Sequence, residues 1–307
     1  MAYKIKCWLP SKNEYVLVKE ISFGLYRDLI KSLHGASNED VLLQTNLVLK
    51  ELVQDIDELT VEDKLSILLA AREICISPDI TLKGTCPDTD KPFNWSIEVR
   101  ELLTRISKLN LNTKFNDLNA NVKGSFTGIK LRDELHYSKE PESLYAELVA
   151  RIDTLQVEST KLDLEGPYLE KKELIEQLPA SVLSTLTKAL QHHLETLTTV
   201  TLLDIKSPHT GNTILHYNGR LNQDTISQII KYLFIEDLTN VYRSFYNMVK
   251  YCQFAPAYLD NITPAEIQVY WSYYMQDSQN EERANEQPPS ASLNINNSQT
   301  PNSEFGF

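Results

Sequence analysis

The sequence predicts a predominantly helical α+β protein in which a helix–β-hairpin unit occurs twice. Segments 86–93 and 207–214 share the pattern (Cys/Ser)-Pro-x-Thr-(Asp/Gly)-(Lys/Asn)-x-apolar, and each follows a β-rich stretch. Proline presets one turn position, and Asp or Gly tolerates the left-handed one, so each segment predicts a tight hairpin tip. A helical run precedes each hairpin, and the spacing of about 120 residues indicates an internal duplication.

The N-terminal stretch predicts a β-hairpin followed by two helices. Residues 3–8 alternate apolar and polar side chains, and 15–18 supply a second strand that can pair with them. The first helix ends at Gly35. A polar run at 37–40 caps the second helix, which we expect to continue to about Ile56. The apolar positions of the two helices are Leu25, Leu29, Ile30, Leu33, Val41, Leu42, Leu47, Leu49 and Leu52.

The first helix–hairpin unit begins at a capping signal. Thr60 is followed three residues later by Asp63, which favours a helix start, and the helical run extends to Ile76. Hairpin one is predicted at 80–97. The stretch 95–109 is expected to begin as a strand and turn helical.

The connecting region 110–165 has weaker patterns. Its first part is rich in Asn, Asp, Thr and Gly, which predicts loop with one or two strands, for example 128–131. Near-helical spacing of apolar residues predicts a short helix at 142–156.

The C-terminal part repeats the unit and then becomes helical. Helices are predicted at 169–177 and 180–197, with hairpin two at 200–217. A long apolar stripe begins at Asp224, with a break near Glu236. The sequence Thr-Pro-Ala-Glu at 263–266 predicts a helix start, and that helix is expected to run to about Met275.

Four regions follow from this organisation. They are an N-terminal lobe at 1–109, a connecting region at 110–165, a C-terminal helical lobe at 166–277 and a tail at 278–307. The tail is rich in Asn, Ser, Gln, Glu and Pro, which predicts disorder.

The amino-acid composition argues against several classes of function. The 307 residues carry a formal charge of −12, which argues against broad binding to phosphate backbones or anionic membranes. The four cysteines are scattered, which favours a reducing compartment. The first residues lack the apolar core of a signal peptide, and no apolar run is long enough to span a membrane. We therefore expect the protein to remain in the cytoplasm of the cell that makes it.

Catalytic and metal-binding signals are weak. The sequence contains no GxSxG, GxxxxGK(S/T), GxGxxG or HExxH motif. The hairpin tips offer Cys86 and His209 as metal ligands, with Asp88 and Asp90 as poor extras, whereas a structural zinc site needs four ligands. We therefore expect no cofactor, unless the two tips meet. The numerous carboxylates lie next to Lys and Arg, which is typical of a solvated surface.

Three further features have alternative interpretations. The adjacent His192 and His193 lie in a predicted helix and point about 100° apart, which favours a surface or capping role. Nine of the fifteen tyrosines fall between Tyr217 and Tyr274, which fits either an aromatic core or a docking surface. The tail end 304–307 is either a short docking peptide or an unselected end. The candidate partner-binding residues are Tyr242, Phe245, Tyr246, Tyr270, Trp271, Tyr274, Phe305 and Phe307.

The order of the elements points to a known family. The segments that carry the likeness are 17–20, 59–63, 72–74, 175–179, 242–251 and 262–266. In this order the chain resembles the baseplate hub assembly protein family of T-even-type contractile-tailed bacteriophages. The resemblance covers roughly 1–275, with 110–165 matched poorly. Family hairpins often carry paired cysteines, whereas here the second cysteine of each pair is missing and Ser207 replaces the first one of hairpin two.

The resemblance implies an assembly role rather than catalysis. It predicts a hub component or hub assembly factor that contacts other tail and baseplate hub proteins and binds neither nucleic acid nor membrane. Such a protein works in the host cytoplasm during assembly, and the sequence leaves open whether it stays in the virion tail baseplate. Two alternatives remain: a degenerate zinc-ribbon-like nucleic-acid-binding regulator, and an enzyme with a site assembled from dispersed residues.

Overall fold

The computed structural model describes residues 4–140, 143–234 and 238–286 and confirms the predominantly helical α+β class. The strands are β1 (Lys4–Leu9), β2 (Glu14–Lys19), β3 (Asp79–Thr85), β4 (Pro92–Glu98), β5 (Thr113–Asp117), β6 (Val122–Phe126), β7 (Ile152–Val157), β8 (Thr160–Leu162), β9 (Thr201–Lys206) and β10 (Thr213–Asn218). The helices are α1 (Phe23–Leu33), α2 (Asn38–Leu52), α3 (Val61–Cys75), α4 (Val99–Ile106), α5 (Leu131–Tyr137), α6 (Leu144–Arg151), α7 (Tyr168–Glu176), α8 (Ala180–Thr198), α9 (Gln223–Leu233), α10 (Leu238–Lys250), α11 (Pro256–Leu259) and α12 (Pro264–Glu286).

All strand pairs in the described residues are antiparallel. Strands β1–β2, β3–β4 and β9–β10 are separate two-stranded hairpins, and β5–β6–β7–β8 form a four-stranded sheet. Helix α3 leads into hairpin β3–β4, and helix α8 leads into hairpin β9–β10. The predicted helix–hairpin unit therefore occurs twice, and the N-terminal hairpin is also confirmed.

Helix α3 lies at the centre of the fold. Every side chain from 61 to 71 is buried, and hairpin β1–β2 and helices α2, α4, α9 and α12 pack around it. Its apolar residues face several directions, as expected for a helix enclosed on all sides. The fold is thus organised around the helix of the first unit.

Helix α8 is buried along one face only. Val182, Leu186, Leu190, Leu194 and Leu197 form its buried stripe at helical spacing. The stripe is typical of an amphipathic helix that covers a neighbouring surface. Here that surface is helix α6 and strands β5 and β6.

The buried apolar side chains of both units belong to one connected cluster. Leu65 of α3, Ile80 of β3, Leu202 of β9 and Ile229 of α9 line the same small apolar space. Hairpins one and two therefore pack against a shared interior. The region boundaries at 110 and 166 remain predictions.

The connecting region is more ordered than the sequence indicated. The predicted strand at 128–131 is wrong, because the strands lie at β5 and β6 and helix α5 begins at Leu131. The helix predicted at 142–156 ends at Arg151, and Ile152 begins strand β7 directly. Ile152 and Leu155 suit a helical stripe by spacing, but their backbone pairs with β6 and β8. Pairing with distant strands overrides local periodicity here.

Two helix ends also differ from expectation. Helix α2 ends at Leu52 rather than near Ile56, and Asp55 adopts a positive φ of 59° just after it. Helix α12 continues past Met275 to Glu286, so 278–286 is helical rather than disordered. That stretch contains no Gly or Pro, and its Glu, Gln, Arg and Ala residues are compatible with a helix. The tail at 287–307 and the predicted break near 236 lie outside the described residues.

Candidate functional site

The tip of hairpin one is a tight turn held by backbone hydrogen bonds. The amide of Cys86 donates to the carbonyl oxygen of Lys91, and the amide of Asp90 donates to the carbonyl oxygen of Cys86, both at 2.9 Å. Asp90 has a positive φ of 52°, a conformation that Asp adopts more readily than most residues. The sequence Cys-Pro-x-Thr-Asp thus folds into the turn that its residue types favour.

The tip of hairpin two repeats this turn. The amide of Ser207 donates to the carbonyl oxygen of Asn212 at 2.8 Å, and the amide of Gly211 donates to the carbonyl oxygen of Ser207 at 2.9 Å. Gly211 has a φ of 74°, so glycine stands where the first tip has Asp90. The two tips therefore have equivalent hydrogen bonds at equivalent positions.

The two tips meet each other in space. The Cys86 Sγ atom lies 3.0 Å from the Ser207 Oγ atom, and both side chains are buried. The Asp88 carboxylate accepts hydrogen bonds from the Thr210 hydroxyl at 3.0 Å and from the Asn212 side-chain amide at 2.8 Å. We call this arrangement the paired tips, formed by 86–91 and 207–212. Residues 121 positions apart in the chain thus form a single surface.

The two metal candidates differ in their surroundings. Cys86 is buried between the tips, and hydrogen bonding from Ser207 and then from Thr89 lowers the pKa of its thiol. His209 is exposed on the second tip. Within the described residues, no three His, Cys, Asp or Glu side chains are grouped so that they could hold a metal ion.

The start of α3 forms a polar junction that sequence reasoning recognised only in part. The predicted cap is present: the amide of Thr60 donates to the Asp63 carboxylate at 2.9 Å, and the amide of Asp63 donates to the Thr60 hydroxyl at 3.2 Å. Asp63 also accepts a hydrogen bond from the amide of Ser11 at 3.0 Å. One carboxylate therefore caps α3 and fixes the turn between β1 and β2.

Two lysines near this junction are buried in ion pairs. The Lys64 ammonium group donates to both carboxylate oxygens of Glu134, at 2.5 and 2.7 Å, and to the side-chain oxygen of Asn46 at 3.1 Å. Burial lowers the pKa of Lys64, and the Glu134 carboxylate opposes that shift. Lys171 pairs with Asp133 at 2.5 Å in the same way. These pairs join helices α2, α3, α5 and α7 through polar contacts.

A third buried group connects α3 to α6 and to the loop after β10. The Arg151 guanidinium lies 3.5 Å from the Glu62 carboxylate and 3.4 Å from Glu147, and Glu147 also pairs with Arg220 at 2.6 Å. Burial raises the pKa of Glu62, while Arg151 acts in the opposite direction. The expectation that the carboxylates are solvated is wrong for these side chains. The sequence signal was the run Thr-Val-Glu-Asp-Lys, whose charges sit within an otherwise apolar helix.

The two adjacent histidines have different environments. His192 is exposed, whereas His193 is fully buried, so the surface role predicted for both is wrong for His193. The His193 ring stacks on Phe126 with ring centroids 5.5 Å apart, and its Nδ1 atom lies 2.9 Å from the Thr113 hydroxyl. Burial, with a smaller contribution from Arg151, lowers the pKa of His193 to about 4.

A band of aromatic side chains follows helices α10 and α12. The Lys250 ammonium lies 5.3 Å from the ring centroid of Tyr246 and 4.9 Å from that of Tyr251. The Tyr251 ring is 5.9 Å from Tyr274, which stacks on Trp271 at 5.3 Å. We call this band, together with Tyr242 one turn before Tyr246, the aromatic surface. Its most exposed members are Tyr246 at 54 %, Tyr242 at 45 % and Tyr251 at 43 %.

The predicted partner-binding residues have different environments. Tyr242 and Tyr246 are exposed, and Trp271 and Tyr274 are half-buried. Phe245 packs inward against Phe23 and under Arg27, and Tyr270 packs against Phe254. Phe305 and Phe307 lie outside the described residues. Sequence reasoning did not single out Tyr251 and Lys250, which complete the band.

A family model described as T4 bacteriophage base plate protein matches residues 1–223. The chain belongs to the T4 bacteriophage base plate protein family. No curated protein and no solved structure matches the chain.

Family membership makes the chain a bacteriophage baseplate structural protein with contacts to other baseplate proteins. The matched residues include the polar junction at α3 and both hairpin tips, whereas the aromatic surface on α10 and α12 follows them in the chain. In the described part of the chain, no helix is long and apolar enough to cross a membrane.

Proposed function

We propose that the protein is a component or assembly factor of the central hub of the tail baseplate, and that it acts by binding other hub proteins rather than by catalysis. The family places the chain in the baseplate. The hub assignment rests on the order of hairpins and helices described above. Assembly in the host cytoplasm is part of the same proposal.

The observation that carries the binding role is the aromatic surface. Tyrosine and tryptophan are enriched at protein interfaces because they bury a large area at a small cost in side-chain entropy. Here Tyr242, Tyr246 and Tyr251 each leave about half of their surface in solvent, and the Lys250 ammonium lies over the rings of Tyr246 and Tyr251. Such a surface suits a partner that offers apolar side chains and acidic groups to the same area.

The paired tips supply a second exposed surface of fixed shape. Asp88, Asp90 and Lys91 lie on its first half, and Pro208 and His209 lie on its second half. This mixture of charges supports contact with a protein more than contact with a phosphate backbone, which requires an excess of cations. We propose that the paired tips position the chain on its partner.

The test is affinity purification of the tagged full-length chain from phage-infected cells. We expect the wild-type chain to recover proteins of the baseplate hub. The double variant Tyr242→Ser/Tyr246→Ser should lose most of this recovery while keeping its thermal unfolding midpoint, because both side chains are exposed. Leu118→Ser is the matched control, since Leu118 is 79 % exposed on a different element.

Three outcomes of this experiment would contradict the proposal. Recovery of no tail protein would remove the binding role. Recovery of outer wedge proteins without hub proteins would remove the hub assignment. Equal recovery by the wild-type chain and the double variant would show that the partner binds elsewhere.

A further inference from the structure

In the tip of hairpin two, backbone amides donate hydrogen bonds to the Ser207 side chain. The Ser207 Oγ atom accepts hydrogen bonds from the amides of His209 and Thr210, both at 3.2 Å. The side chain at the first position of the turn is thus bound by the amides two and three residues later. This arrangement directs the Oγ atom into the space between the tips.

In the tip of hairpin one, the Cys86 side chain has a similar environment. The amides of Asp88 and Thr89 interact with the Cys86 thiol, as does the Thr89 side chain. Thr89 therefore lies beside the thiol at the position three residues later. Between the tips, Cys86 contacts Ser207, and the Thr210 hydroxyl reaches Asp88 of the opposite tip.

The first and fourth residues of each turn are separated by two residues, as paired ligands of a four-ligand metal site can be. Structural zinc sites take their ligands in pairs separated by as few as two residues, one pair from each of two turns. In the paired tips the four corresponding positions are Cys86, Thr89, Ser207 and Thr210. One of the four is a thiol and three are hydroxyls.

The distance between the Cys86 and Ser207 side chains indicates a direct hydrogen bond rather than a shared metal ion. Two sulfur ligands on a tetrahedral zinc ion lie about 3.8 Å apart, given a Zn–S distance of about 2.3 Å. The Cys86 Sγ and Ser207 Oγ atoms are 3.0 Å apart, so they contact each other directly. The Thr210 hydroxyl donates to Asp88 across the tips.

We propose that the paired tips form a site with the ligand spacing of a zinc site, in which hydrogen bonds such as that between Cys86 and Ser207 take the place of the metal ion. The ligand positions are Cys86, Thr89, Ser207 and Thr210, and their side chains hold the two helix–hairpin units together without a cation. The same backbone accepts a thiophilic divalent cation, such as Zn²⁺ or Co²⁺, once thiols occupy all four positions. This inference does not depend on the proposed function.

The test introduces the three missing thiols into the full-length chain as Thr89→Cys/Ser207→Cys/Thr210→Cys. Titration of the reduced variant with Co²⁺ should give one bound ion with thiolate charge-transfer bands and the visible bands of tetrahedral cobalt. Zn²⁺ should displace the Co²⁺. We expect binding at least about 100-fold tighter than in the wild-type chain, because four thiolates replace one.

The matched control carries the same number of thiols with one of them displaced. In Thr89→Cys/His209→Cys/Thr210→Cys the third thiol moves from the buried position 207 to the exposed position 209. This control should bind Co²⁺ at least about 10-fold more weakly than the test variant, because the tetrahedral geometry is lost. Equal affinities of the two variants would overturn the proposal.

Folding is checked by circular dichroism. If the triple variant does not fold, Thr89→Cys/Ser207→Cys supplies three thiols and should still give a tetrahedral cobalt spectrum, with solvent as the fourth ligand. A folded variant without such a spectrum would overturn the proposal. For the wild-type chain, a metal chelator should leave the thermal unfolding midpoint unchanged, and a lower midpoint would overturn closure by hydrogen bonds.

Discussion

The two helix–hairpin units share the turn at their tips and differ in the helices that lead to it. In the first unit, α3 is enclosed on all sides and begins with the buried charges of Glu62, Asp63 and Lys64. In the second unit, α8 buries a single stripe and leaves the rest of its surface half-buried or exposed. The turn is fixed by local residue types, whereas the environment of each helix is fixed by its place in the fold.

The units also differ in how they bury a titratable group. In the first, Lys64 is paired with the Glu134 carboxylate in the interior. In the second, His193 stacks on Phe126 in an environment that favours its neutral form. Removing one partner of a buried ion pair lowers the free energy of unfolding. For a buried neutral histidine, acid lowers it.

The largest effect is expected from Lys64→Met. Methionine approximates the shape of lysine but leaves the Glu134 carboxylate buried without its cation, which costs about 3–5 kcal/mol in the free energy of unfolding. Chemical denaturation measures this loss. Lys188→Met is the control in α8, where the side chain is exposed and the expected change is within about 0.5 kcal/mol. Similar losses in both variants would remove the contrast between the helices.

The next effect is the acid sensitivity caused by His193. Its folded pKa of about 4 lies below the ordinary histidine pKa of 6.5, so between these pH values the unfolded chain binds more protons. The stabilising contribution is therefore complete above pH 6.5 and is lost as the pH falls toward 4, by about 3 kcal/mol in total.

Denaturation of the wild-type chain and of His193→Gln across this pH range checks the prediction. Glutamine keeps a polar contact to Thr113 and does not titrate, so the variant should lose less stability on acidification. His192→Gln is the control, because His192 is exposed in the same helix. Parallel stability curves for the wild-type chain and His193→Gln would contradict a buried neutral histidine.

The smallest effect concerns equivalent positions of the two tips. Asp88 and the equivalent His209 are both exposed, and Asp88 accepts two hydrogen bonds from the opposite tip. Asp88→Ala should lower the free energy of unfolding by about 1 kcal/mol, and His209→Ala should change it by less than about 0.5 kcal/mol. Chemical denaturation of both variants shows whether Asp88 contributes more than His209 to the contact between the tips. Equal losses in the free energy of unfolding would show that it does not.

Local signals were sufficient to predict the hairpins and most helices. Proline with a left-handed turn residue specified both tips, and the pair Thr60 and Asp63 marked the start of α3. Strands β5 to β8 were missed in part because their order depends on pairing between segments far apart in the chain. Helix α12 was predicted too short because a polar composition was interpreted as disorder.

The candidate sites were less predictable, since they depend on proximity between distant residues. The aromatic surface could be identified in outline because its tyrosines are clustered in sequence. The contact between Cys86 and Ser207 could not, because no local pattern brings the two tips together. The burial of Glu62 and Lys64 also required the helices that surround α3.

The most direct test of the binding role is site-specific photo-crosslinking during phage infection. A photoreactive amino acid is introduced at position 246 on the aromatic surface, or at the control position 118, which is the more exposed of the two. We expect position 246 to crosslink to a baseplate hub protein and position 118 to give no such product. Equal crosslinking at the two positions, or none at position 246 while the chain assembles normally, would contradict the account.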